Sequence, residues 1–187
     1  LRRRGRKSWP PRLAININFK DDEVSDMQSA DRPMDALHMP DIASKLLPRP
    51  EKLVGYGFRC WLSGYQTGNI RNWEECWSFY RKELGNDTAR KAVTDLASWV
   101  NAVRISTLRD IRLLPARCPS FCRDECLAVS LIAASQHQAC PALQACAYAL
   151  IGADQIETVL KTAGNFAATL KAFDVVLGQD LAGTTLQ

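Results

Sequence analysis

Cys118, Cys122 and Cys126 stand four residues apart, and Cys140 and Cys146 follow, with His137 between the two groups. Five of the seven cysteines and one of the two histidines therefore fall between positions 118 and 146. Thiols at such density serve as metal ligands, as redox groups or as small buried apolar side chains. A thiolate binds zinc at about 2.3 Å, so two sulfurs sharing one ion lie about 4 Å apart. Helical positions i and i+4 bring Cβ atoms to about 5–6 Å, which allows Cys122 and Cys126 to share a metal. Positions i and i+8 are separated by about 12 Å of rise, so Cys118 joins them only from outside the helix. Pro119 permits that, because proline suits the opening of a helix and leaves Cys118 in the preceding loop.

The same arithmetic keeps Cys140 and Cys146 apart from the trio. Fourteen helical residues from Cys126 carry the chain about 21 Å away, and a returning helix recovers about 9 Å. A site at Cys118, Cys122 and Cys126 then needs a fourth ligand from Cys60 or Cys76. Zinc or an iron–sulfur cluster is the cofactor such a site would take. The Cys-x3-Cys-x3-Cys spacing matches neither the paired ligands of structural zinc sites nor the tighter runs of ferredoxin-like clusters. Packing as small hydrophobes therefore stands beside the metal reading. A redox role rests on Cys122, since the first turn of a helix lowers a thiol pKa; Asp124 and Glu125 oppose that effect.

Other chemistry finds less support. His137 with Cys140 reads as a polar helix C-terminus, where histidine complements the dipole. No nucleophile elbow, phosphate loop with a following Lys, or Glu-x-x-His pair occurs, so enzymatic activity has no motif behind it. Trp73, Trp77 and Tyr80 form a stripe that suits core packing or a groove for a partner helix. Arg104, Arg109 and Arg112 read as a solvated helix end.

Charge narrows the partners. Seven basic and four acidic side chains give the first 26 residues +3 of the chain's net +4, leaving +1 for the rest. The body lacks the basic bias of a nucleic-acid binder, so a nucleic-acid role would belong to the N-terminal arm. The chain opens on Leu1, and Met27 and Met34 are alternative starts that would remove that arm. No secretory h-region and no unbroken apolar run of about 18 residues is visible, which points away from a membrane and towards a cytoplasmic protein with reduced thiols.

The elements that must position these residues are helical. Residues 1–40 contain Pro10, Pro11, Pro33 and Pro40 and read as a disordered basic arm, with a strand-like alternation from Leu13 to Phe19. Residues 41–181 read as one helical domain and 182–187 as a frayed tail. A short helix from Asp41 to Leu47 precedes one opened by Pro50 and ending near Gly68. Asn72 with Glu75 caps the next, which Gly85 stops. Asp87 caps a third that runs towards Arg109. Pro119 to His137, Pro141 to Gly152, and a last helix capped by Asp154 with Glu157 follow. Cys60-Trp61 and Cys76-Trp77 on successive helices suggest two Cys-Trp pairs facing one another. The expectation is an all-α, single-domain bundle of five to seven mostly antiparallel helices. Its expected role is that of a small accessory protein that binds another protein; the cysteine cluster would hold zinc or an iron–sulfur cluster, or act as a thiol redox sensor.

Overall fold

The computed structural model describes residues 49–178, and over them the chain is all-helical: α1 Arg49–Thr67, α2 Arg71–Leu84, α3 Asn86–Ser106, α4 Arg123–Gln136, α5 Cys140–Ile151 and α6 Glu157–Ala172. The expected arm, its strand-like stretch, the short helix before Pro48 and the tail lie outside the described residues.

Local sequence explains most of the boundaries. Pro50 occupies the first turn of α1, and Gly68, at φ +70°, ends it. A glycine accepts that backbone without a Cβ clash. Gly85, at φ +81°, is the single residue between α2 and α3, and Gly152, at φ +64°, closes α5 in the left-handed conformation. Three expected caps differ from the structure. Ile70 precedes α2, and Asn69 Oδ1 accepts the Arg71 N–H, so the Asn72–Glu75 box does not form. Gly85 rather than Asp87 precedes α3, which stops at Ser106. Ile156 precedes α6, and Asp154 contributes its carbonyl to the Ile156 N–H.

Helix α4 is buried almost all round, including Leu127, Ala128, Val129, Leu131, Ile132 and Ala133. A helix apolar on every side belongs at the centre. It packs on α1, α5 and α6, while α1 also packs on α2 and α3, and α3 on α6. Leu53, Val54 and Phe58 of α1 are fully buried, and burial of this kind stabilises by about 1.5–3 kcal/mol per side chain. Trp99 stacks on Phe166 at 5.7 Å and meets Phe58 at 5.4 Å, joining α1, α3 and α6.

Helices α1 and α2 pack through aromatics. Trp61 meets Trp73 at 6.0 Å, and Trp73 Nε1 donates to the Trp61 carbonyl at 3.1 Å. Cys60 and Cys76 are both buried here, and the Cys60 thiol is close enough to help raise that of Cys76. Tyr80 is fully buried and donates its hydroxyl to the Leu53 carbonyl at 2.9 Å.

Helices α3 and α4 are joined by residues 107–122, the longest connection among the described residues. All three closely spaced cysteines except Cys126 belong to it. How it is held decides what those cysteines do.

Candidate functional site

The segment 107–122 has no regular backbone ladder, so its carbonyls and N–H groups must find partners elsewhere. Arg59, in the middle of α1, supplies most of them. Its side chain is buried. Nε donates to Glu125 Oε1 at 2.6 Å and Nη2 to Glu125 Oε2 at 3.0 Å. Nη2 also donates to the Ser120 carbonyl at 2.5 Å, and Nη1 to the Cys118 carbonyl at 2.6 Å and the Pro115 carbonyl at 3.3 Å. The acceptors match the five N–H donors of a guanidinium. The Phe121 ring covers the guanidinium at 5.3 Å, a cation–π contact in a desolvated setting.

Glu125 is fully buried and equally satisfied. Beyond the Arg59 fork, Oε1 accepts the Leu114 N–H at 3.1 Å and Oε2 the Cys122 N–H at 2.8 Å. A carboxylate with four donors is a complete hydrogen-bond centre. Burial alone would lower the Arg59 pKa, but the bonded Glu125 carboxylate overrides this and raises it.

A second fork stands beside the first. Arg109 donates to Asp124 from Nη1 to Oδ2 at 3.0 Å and from Nη2 to Oδ1 at 2.6 Å. Asp124 Oδ2 also accepts the Arg112 N–H at 2.8 Å. Burial pushes the Asp124 carboxyl up, and the Arg109 guanidinium with the Arg112 N–H outweighs it, so its pKa lies below the usual value. Arg109 Nε reaches the Ala149 carbonyl of α5 at 3.1 Å, and the Leu108 N–H reaches the Ile151 carbonyl at 2.9 Å. Two consecutive acids at the start of α4 thus bind the loop to α1, α4 and α5.

These bonds place the cysteines. Helix α4 begins at Arg123, four residues later than Pro119 predicts. The carbonyls of Cys118 and Ser120 are held by Arg59, and Cys122 is extended at φ −79°, ψ 174°. Cys122 is therefore the N-cap. Its N–H is accepted by the Glu125 side chain and its sulfur faces the Glu125 N–H, a capping box with sulfur in the place of the usual hydroxyl. Its thiol donates to the Arg112 carbonyl at 3.2 Å. Cys126 Sγ lies 4.0 Å from the Phe121 carbonyl. Cys118 lies in the loop, as Pro119 allowed, but offers its carbonyl to Arg59.

Of the trio expected to share a metal, Cys118 lies in the loop, Cys122 at the cap and Cys126 in the first turn of α4. Among the described residues, no three His, Cys, Asp or Glu side chains are grouped as ligands of one ion. The proposed fourth ligands, Cys60 and Cys76, face the α1–α2 core. Burial pushes the Cys60 thiol up to about 11 and Cys76 well above the usual range. The expected lowering at Cys122 is also reversed. Burial raises its pKa and the Glu125 carboxylate adds to that, against opposing N–H donors of Glu125 and Asp124. Burial likewise raises Cys126 and Cys146. All seven thiols are free; Cys140 is exposed at the start of α5. His137 caps the end of α4, and its Nε2 is 2.8 Å from the Leu177 carbonyl.

Sequence reading missed Arg59 altogether and took Asp124 and Glu125 only as charges near a thiol. The available signal was Cys122-x-x-Glu125, a capping box once sulfur is allowed in the Ser or Thr position. No protein-family model, curated protein or solved structure matches this chain.

Proposed function

We propose that this chain is a helical accessory protein that works by binding another protein at the end of the bundle where α3 and α5 finish. Leu108 carries the reading. It is 81% exposed, yet its backbone is fixed to α5 through Ile151, and its neighbour Arg109 is forked onto Asp124. Ile105, one turn before it, and Tyr148, in the last turn of α5, are also exposed large hydrophobics. Single exposed apolar side chains are ordinary, but here the Leu108 N–H bond to the Ile151 carbonyl brings together the α3 and α5 ends that carry them. Holding the loop before binding reduces the ordering cost that a partner would otherwise incur.

The zinc, iron–sulfur and redox readings rank below this one, because the trio's polar contacts are those of a cap and a loop, and three of the raised thiols are buried. Nucleic-acid binding through the basic arm would rest on residues outside those described. Among these, no helix is long and apolar enough to cross a membrane. Seven free thiols suit a cytoplasmic setting.

A photo-reactive amino acid placed at position 108 in the source cells tests the reading, with position 98, exposed in mid-α3, as control. Discrete protein adducts from position 108 and none from 98 are expected. Equal labelling from both, or none from either, contradicts it.

A further inference from the structure

The two buried forks alter the surface around Leu108 as well as the interior. Between Thr107 and Glu125 the chain has three acids and four arginines. Asp124 and Glu125 are turned inward onto Arg109 and Arg59, which leaves Asp110 as the one exposed carboxylate of this stretch. Arg112, Arg117 and Arg123 are exposed, and none belongs to the ion pairs among the described residues. Arg112 and Arg123 are also near Leu108 by construction. Asp124 binds Arg109, the residue after Leu108, and accepts the Arg112 N–H; Arg123 precedes Asp124 in the chain. One carboxylate thus sets an apolar side chain and two outward guanidinium-bearing residues around itself.

Resting on the protein-binding reading above, we propose that the partner segment seated at Leu108 is an acidic amphipathic one. Its apolar residues cover Leu108, Ile105 and Tyr148, and its carboxylates meet Arg112 and Arg123. The exposed Arg112 and Arg123 support that occupant, since arginine recognises carboxylates bidentately. A second basic surface would be repelled. A nucleic-acid strand would use the arginines but leave three large apolar side chains without purpose, and the body beyond residue 26 carries only +1. Attraction of this kind speeds encounter and weakens with salt.

The test is fluorescence anisotropy on the full chain with four labelled probes. Three are helical peptides of about 18 residues with Leu at i, i+3, i+4 and i+7 and the rest Glu, Lys or Gln; the fourth is a single-stranded DNA of about 20 nucleotides. The Glu peptide should bind at least about tenfold more tightly than the other three. That preference should fall about tenfold in Arg112→Glu/Arg123→Glu and with added salt. Arg123 occupies the first turn of α4, where a glutamate suits the dipole, so the variant should fold, and its thermal midpoint checks this. Equal binding of the Gln and Glu peptides overturns the acidic preference while leaving the docking surface in place. Tighter binding of DNA overturns it in favour of a nucleic-acid surface. Failure of every peptide also overturns it, and cross-linking from position 108 then decides separately whether this end binds proteins at all.

Discussion

At the scale of single residues, the chemistry of this chain belongs to its charges. Asp124 shows how. Its folded pKa is lowered by Arg109 and the Arg112 N–H, so the folded state holds its proton less tightly than the unfolded chain does. The fork therefore contributes its full stability above the unfolded carboxyl value of about 3.9 and loses it as pH falls through the lower folded value. Asp124→Asn should cost about 1–3 kcal/mol at pH 7, since it leaves a part-buried guanidinium with a weaker partner. The gap between wild type and variant should narrow towards pH 3, below the unfolded value. Urea unfolding at both pH values measures it; a gap that stays constant with pH would show that ionised Asp124 contributes nothing. None of this was legible in the chain, because an Asp beside a Glu after a Cys does not reveal which arginine it will meet.

The elements were legible where a local rule governs them. Pro50, Gly68, Gly85, Pro141 and Gly152 mark helix ends in the sequence and in the fold. The segment from Pro115 to Cys122 was not, because its backbone is fixed from a distance by Arg59, 66 residues before Glu125. The expected start at Pro119 rests on proline's preference for a first helical turn, whereas the charged run Arg123-Asp124-Glu125 opens α4. Gly55 is the counterpart of this docking on α1. A Cβ there would strike the Phe121 ring. Alanine is normally better than glycine inside a helix by about 1 kcal/mol. Here Gly55→Ala should instead destabilise by about 1–3 kcal/mol, through overpacking. In a Phe121→Ala background the same change should be neutral or stabilising. Additive effects in the double-mutant cycle would mean that the loop does not seat on Gly55.

At the scale of the whole molecule, a bundle of six described helices is closed by one irregular connection, and that connection is fastened to α1 by Arg59 and to α4 and α5 by Arg109. The all-α class followed from the period of apolar residues, since each helix needed only its own pattern. The site depended on which helices became neighbours, and spacing along the chain does not carry that information. The cysteines are regularly spaced, yet Cys122 serves as a cap that a serine could replace. Charge, and not thiols, organises this end of the molecule. Unfolding in urea with a metal chelator present tests it most directly, comparing Glu125→Gln with the triple variant Cys118→Ser, Cys122→Ser, Cys126→Ser. Loss of a buried ion-pair partner should cost Glu125→Gln about 3–5 kcal/mol, while the triple variant should stay within about 1 kcal/mol of wild type, with or without chelator. A triple variant that unfolds first, or a wild type that chelator destabilises, would contradict it.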